Sequence, residues 1–214
     1  MEETMNSLAP VFDAVVEGDA ESTRLGVQSA LEQGISASII LQDGLIAAMD
    51  EVGRRFEAGD FFVPEMLVSA RAMQSGLQLL KPLLAESDVK STGRVAIGTV
   101  KGDLHDIGKN LVVMMLEGAG YEVKDLGVDV PPEKFVQAVR DGAQILGFSA
   151  LLTTTMSNMS VTLKALNEAG VRNQIKVMVG GAPVTQEFAD KIGADAYAPD
   201  ASSAVRVAHE LVQA

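Results

Sequence analysis

From Arg94 onward, short β-rich runs alternate with helical stretches, and few folds accommodate that alternation. The β-rich runs cover residues 95–100, 121–126, 144–148, 176–179 and a weaker 195–198. Helical periodicity fills 107–119, 132–140, 154–169, 185–191 and 203–212. Strands separated by helices run parallel, because each helix returns the chain to the end where the previous strand began. With right-handed crossovers, five such strands make a doubly wound, Rossmann-like (flavodoxin-like) parallel sheet with helices on both faces.

The stretch before it has another texture. Leu8, Val11, Phe12, Val15 and Val16 fall at the i, i+3, i+4, i+7, i+8 spacing of one helical stripe. Gly18-Asp19 reads as a stop and a new N-cap, and a second helix covers about 20–33. Ser36 caps a third that reaches Phe56, with Ile39, Ile46, Met49, Val52 and Phe56 inward. Pro64 opens a fourth, whose stripe is Leu67, Ala70, Met73, Leu77 and Leu80. Four amphipathic helices with short joins predict a small bundle. Residues 86–93 are polar and aperiodic and read as a linker. The expected architecture is therefore α + α/β, a four-helix bundle over 1–88 followed by the sheet domain over 89–214.

Composition removes whole classes of function. Cysteine is absent, which excludes a disulfide framework, thiolate metal sites and a cysteine nucleophile. The two histidines, His105 and His209, are too few for a His-rich zinc site. A net charge of −12 argues against nucleic acid and anionic membrane surfaces, both of which need a basic face. No apolar run reaches the ~18 residues of a membrane span, and MEETMNSLAP is acidic where a signal peptide would be basic. The chain reads as soluble and cytoplasmic.

In an open doubly wound sheet, ligands bind beyond the carboxyl ends of the strands, where the winding reverses. Here that point lies between the first and third strands. The first is followed by Lys101-Gly102-Asp103-Leu104-His105-Asp106-Ile107-Gly108-Lys109-Asn110, the third by Ser149-Ala150-Leu151-Leu152-Thr153-Thr154-Thr155. The fourth ends in Gly180-Gly181, where missing side chains let a ligand approach the backbone. A phosphate loop fits poorly: Gly102 to Gly108-Lys109 is one residue too long, and Asn110 replaces the Ser/Thr that would hold magnesium. A receiver domain would need an aspartate at Ser149. A single axial histidine on a tetrapyrrole metal fits better, because the macrocycle supplies the other donors. Asp103, two residues earlier, can take the other ring N–H. The plain alternative is a loop histidine beside a helix start. His209 reads as a surface residue on the last helix.

These residues resemble a known family. Asp103-x-His105-x-x-Gly108, Ser149-x-Leu151 and Gly180-Gly181 match the D-x-H-x-x-G, S-x-L, G-G signature of cobalamin-binding domains. The stretch from Gly102 to Asn110 resembles the form in methionine synthase and in the corrinoid proteins of methyltransferase systems. Phe56-Glu57-Ala58-Gly59-Asp60-Phe61-Phe62-Val63-Pro64-Glu65 is similar to the helical cap of those proteins. The resemblance spans nearly the whole chain. It is closest to stand-alone corrinoid proteins serving methylamine, methanol, betaine or aryl-ether substrates.

The resemblance implies a cobalamin or related corrinoid cofactor, with His105 as the lower cobalt ligand. Asp103 would bond His105, and the hydroxyl of Thr155 would complete a relay. Gly102, Asp106 and Ile107 belong to the same cofactor-binding loop. The displaced nucleotide tail would lie near Gly108, Ser149, Leu151, Thr153, Gly180 and Gly181. Phe56 and Val63 would cover the methyl-bearing face, and the helical part would move on the linker to admit partners. The implied function is a methyl carrier, accepting a methyl group on Co(I) from a substrate-specific barrel methyltransferase. A second methyltransferase would receive it for tetrahydrofolate or coenzyme M, and a reductive activase would restore the cofactor. A cobalamin-dependent sensor is the alternative; such sensors usually carry a signalling module. An adenosylcobalamin mutase subunit is disfavoured by the helical cap.

Overall fold

The computed structural model describes residues 2–85 and 91–213. The chain divides into two compact units, Met1–Ser91 with Gly118–Gly120, and Thr92–Glu117 with Tyr121–Ala214. Most of the expected linker, residues 86–90, lies outside the described residues.

The helical unit holds α1 (Glu2–Glu17), α2 (Ala20–Glu32), a composite third helix and α5 (Val63–Ala85). Asp19 caps α2 as expected, its carboxylate accepting from the backbone N–H groups of Glu21 and Ser22. Leu8, Val11, Val15, Val27, Leu45, Met49, Met66, Met73 and Leu80 are buried and form the bundle interior. The third helix is not uniform. It begins with a short α3 (Ala37–Ile39), widens into a π-helical segment, Ile40–Ile46, and continues as α4 (Ala47–Glu57). The wider turn resets the stripe. Ile40, Leu41, Leu45 and Ile46 point inward, whereas Ile39, expected inside, is exposed. A regular 3.6-residue period could not foresee that shift. Phe56 is half-buried and Val63 exposed.

The second unit is a five-stranded sheet of order β2-β1-β3-β4-β5, parallel throughout. Its strands are β1 (Arg94–Thr99), β2 (Glu122–Asp125), β3 (Ile145–Ser149), β4 (Lys176–Gly180) and β5 (Ala196–Ala198). The connecting helices are α6 (Ile107–Gly118), α7 (Pro132–Arg140), α8 (Ser157–Glu168) and α9 (Gln186–Ile192), and α10 (Ala201–Gln213) closes the chain. Central strands buried on both faces read as continuous apolar runs. Ala96, Leu146, Phe148, Val177 and Val179 share a core with α7, α8 and α9. Their neighbours Val95, Ile97, Ile145 and Met178 point the other way and are also buried. Thr99 pairs with Ser149, and Ser149 with Gly180, so β1, β3 and β4 end level with one another. The two loops that carry the sequence motifs therefore leave the sheet side by side, at its topological switch point.

His209 is half-buried, not free on the surface. Its Nδ1 hydrogen-bonds the Tyr121 hydroxyl at 3.0 Å, and burial pushes that phenol up to about 12. α8 starts at Ser157 instead of residue 154, because Thr153–Met156 turns back toward the β1 loop. Among the described residues no helix is long and apolar enough to cross a membrane.

The edge-to-face pair Phe135–Phe148, 4.8 Å between centroids, anchors α7 to the sheet centre. Phe148→Ala is expected to lower the unfolding free energy by roughly 3–5 kcal/mol, as for a large buried aromatic. Urea titration measures this, and a negligible change would remove the pair from the core.

Candidate functional site

Asp103 organises the loop after β1. The chain turns there with Asp103 N–H donating to the Val100 carbonyl (3.1 Å) and with Gly102 at φ +84°. The turn drives the Asp103 side chain inward until it is fully buried. A buried carboxylate is tolerable only if its oxygens are satisfied. Oδ1 accepts from the backbone N–H of His105 (3.0 Å) and from His105 Nδ1 (2.7 Å). Oδ2 accepts from the Thr155 hydroxyl (2.6 Å) and from the backbone N–H groups of Leu151 (2.8 Å) and Leu152 (3.3 Å). Burial is the largest single influence on this group and by itself would raise its pKa. The hydrogen bonds from Thr155, from the His105 and Leu151 backbones and from the His105 ring outweigh it together. They hold Asp103 well below the usual carboxylate range.

The arrangement fixes the histidine chemically. An ionised carboxylate only accepts, so Nδ1 of His105 must carry a proton, and in the neutral ring the lone pair lies on Nε2. The side chain is 50% exposed, and among the described residues nothing bonds Nε2. The His105 backbone is held at its other side as well, its carbonyl accepting from the Thr99 hydroxyl at 2.9 Å. Thr99 was not singled out from the sequence. Its only signal is a fully buried hydroxyl residue at the end of a central strand, which becomes visible once burial is known.

His105, Asp103 and Thr155 thus meet in space, and the loop of Leu151 joins them. Ser149 ends β3 half-buried and Thr153 is exposed on the same loop. Asp106 accepts from the Asn110 side chain (3.1 Å) and, through its carbonyl, from the Asn110 N–H (2.7 Å), closing the first turn of α6. The two glycines at the end of β4 also have a reason within the chain itself. A Cβ on Gly180 would lie 2.8 Å from the Ala198 carbonyl oxygen, and one on Gly181, at φ +124°, 1.9 Å from that of Ala150. The chain's own backbone requires both. Gly108 is the reverse case: nothing lies within 4 Å of where its Cβ would be, which leaves room beside the loop. Lys109 is not aimed at a phosphate. Its side chain is buried, with Nζ 2.6 Å from both Asp125 Oδ2 and Asn110 Oδ1.

Apolar side chains stand around this end of the sheet unburied: Leu104 (70%), Ile107 (83%), Leu151 (43%) and Leu152 (43%). Leu104 and Leu152 escaped the sequence reading, since a single apolar loop residue has no periodicity to mark it. Exposed apolar groups clustered in loops mark a ligand surface. The donor set agrees. Among the described residues no three His, Asp or Glu side chains could hold a bare metal ion. One oriented imidazole within an apolar collar suits a metal whose other ligands come from a flat organic ring. The residues present therefore fit a corrinoid.

Residues 93–206 match the family model described as B12 binding domain, and residues 8–81 match a second model of the same description. The chain belongs to the B12-binding family. Its cofactor is a cobalamin or related corrinoid. This corrinoid protein is 46% identical to the trimethylamine corrinoid protein of Methanosarcina barkeri over 92% of its own length and 93% of that protein's. It is 44% identical to the dimethylamine corrinoid protein of the same organism, over 99% and 98%. Its fold superimposes on a chain of the methanol:cobalamin methyltransferase complex from Methanosarcina barkeri with a TM-score of 0.87 and 32% identity, covering 97% of this chain and 80% of that one. It is a corrinoid protein of the kind found in methyltransferase systems.

Because Asp103 is held low, its stabilising effect is complete above the ordinary carboxylate pKa of about 3.9 and is lost as pH falls through the lower folded value. Asp103→Asn is expected to destabilise the protein by about 1–3 kcal/mol at pH 7, since an amide cannot accept from five donors. The gap should narrow below about pH 4, where Asp103 of the unfolded chain takes up a proton, and close only as pH falls through the lower folded value. Denaturation curves at neutral and acid pH check this; a gap that stays constant would exclude the charge as its source.

Proposed function

We propose that this corrinoid protein is a methyl carrier between two enzymes, with His105 as the lower ligand of its cobalt. The observation that carries the reading is the His105–Asp103 pair. One histidine is locked through Nδ1 onto a buried carboxylate and presents Nε2 outward. When bound, the corrinoid supplies a nucleophilic cobalt that takes up and gives back a methyl group.

The chain's own part is to hold, orient and shield. Asp103 keeps the proton on Nδ1 and raises the basicity of Nε2. The Thr155 hydroxyl lies between two acceptors, Asp103 Oδ2 at 2.6 Å and the Leu152 carbonyl at 2.9 Å. It can therefore turn from one to the other when the charge on Asp103 changes, which makes it the outer member of the relay. We assign Gly102, Asp106 and Ile107 to the loop that meets the corrin. Gly108, Ser149, Leu151, Thr153, Gly180 and Gly181 are assigned to the nucleotide tail. The space beside Gly108 and the exposure of Thr153 support that assignment. Phe56 and Val63 are assigned to shielding the upper face, a role supported by an apolar pair left outside the bundle core.

The described residues form a helical unit and an open five-stranded sheet, and we place substrate chemistry on partners. We propose a substrate-specific barrel methyltransferase as donor enzyme, a second methyltransferase using tetrahydrofolate or coenzyme M as acceptor, and a reductive activase. The names of the relatives, trimethylamine and dimethylamine corrinoid proteins, support a methylamine donor. The methyltransferase complex among the similar structures supports pairing with an enzyme of that class.

Electron paramagnetic resonance of the Co(II) form, with 15N-histidine in the protein, tests the ligand. The nitrogen superhyperfine pattern is expected to change from triplets to doublets on labelling; a pattern indifferent to the label would sink the assignment. The shield has its own test. Phe56→Ala should bind cobalamin normally and speed photolysis of bound methylcobalamin. Unchanged photolysis with a large drop in melting temperature would return Phe56 to ordinary packing.

A further inference from the structure

We infer that Asp129, on the loop between β2 and α7, is a positioning residue for His105: it grips the β1 loop from the side opposite Asp103 and pre-forms it for the cofactor. The inference rests on His105 as the cobalt ligand and adds a residue to that site. Asp129 Oδ1 accepts from the backbone N–H of Gly102 at 2.7 Å, and Asp129's own N–H donates to the Asp103 carbonyl at 2.9 Å. One residue thus holds both peptides next to the buried carboxylate, within three residues of the imidazole.

The backbone of Asp129 argues that this grip is more than a chance surface contact. It sits at φ +50°, the one non-glycine residue with positive φ among those described. A glycine would adopt that conformation without strain, as Gly127 does two residues earlier at φ +90°. Aspartate tolerates it less well, so what the side chain adds at this position is an acceptor. The loop beneath is a firm base. Gly127 carbonyl accepts from Thr99 N–H (3.0 Å), Val130 N–H donates to the Thr99 carbonyl (2.9 Å), and Val130 bridges Val100. Thr99 is the same residue whose hydroxyl holds the His105 carbonyl. Asp103 ties the His105 loop to the loop after β3, while Asp129 ties it to the loop after β2.

A ligand loop present in its binding form only part of the time binds more weakly by that fraction. Asp129 removes this loss, so His105 is presented before the corrinoid arrives. The experiment uses the full chain and three proteins: wild type, Asp129→Gly, which relaxes the backbone and deletes the acceptor, and Asp129→Asn, which keeps an acceptor oxygen. Hydrogen exchange at the Gly102 amide is followed in the cofactor-free chain. Aquocobalamin affinity and the fraction of Co(II) showing histidine nitrogen are measured after loading.

Asp129→Gly is expected to exchange Gly102 at least roughly tenfold faster, to bind roughly tenfold more weakly and to lower the histidine-bound fraction, at a near-normal melting temperature. Asp129→Asn should restore all three. If Asp129→Gly keeps Gly102 protection and the full histidine-bound fraction, Asp129 is a turn residue only and the inference falls. It falls equally if Asp129→Asn fails to restore them, because the hydrogen bond is then not the cause. Failure of the ligand assignment itself shows in the wild-type spectrum, whereas failure of the Asp129 grip shows only in the variants.

Discussion

The site hangs on a carboxylate that has no contact with water. Asp103 is fully buried, and a charge in that position survives only because two loops converge on it. Its own turn supplies the His105 N–H and ring, the loop after β3 supplies the Leu151 and Leu152 amides, and the Thr155 hydroxyl completes the set. Removing any donor leaves part of a buried charge unsatisfied, so the geometry is cooperative. The imidazole inherits that rigidity. Its tautomer, its direction and the availability of Nε2 all follow from one ionised group.

The sheet makes this convergence possible. β1 and β3 are neighbours although α6, β2 and α7 separate them in the chain, and their ends are level at Thr99 and Ser149. Two loops that leave adjacent parallel strands at the same height reach each other without strain. The apolar core beneath, centred on Phe135 and Phe148, keeps those strand ends where they are. Stability and presentation are thus separated. The core holds the strands, and the loops are free to leave Leu104 and Ile107 in solvent.

Two other groups near the site show how similar residue types take different duties from their surroundings. Lys109 follows a glycine as a phosphate-loop lysine would, yet its ammonium is buried against Asp125 and serves to pin α6 to the end of β2. Gly180 and Gly181 have a second duty besides any ligand, since the carbonyls of Ala198 and Ala150 leave no room for a side chain there. Asp129, by contrast, looks like an ordinary turn aspartate and proves to hold Gly102.

Alternation of β-rich and helical runs was enough to specify a parallel doubly wound sheet, because parallel strands need crossovers and crossovers of this length are helices. The order of those strands then pointed to the loops after β1 and β3, and Asp103-x-His105 supplied a local pair whose two residues are close in any turn. Asp19 as a cap and the aliphatic stripes of the bundle were legible for the same reason: they depend on neighbours three or four positions away. Apart from the Asp103–Thr155 bond, which the family resemblance implied, what depended on distant neighbours was not legible. The π-helical segment moved Ile39 out of the core, Tyr121 drew His209 from the surface, and Thr99 and Asp129 became part of the site. The Tyr121–His209 and Gly102–Asp129 bonds join residues 88 and 27 positions apart. Sequence periodicity records which face a residue shows, but only the packed tertiary structure decides what stands opposite it.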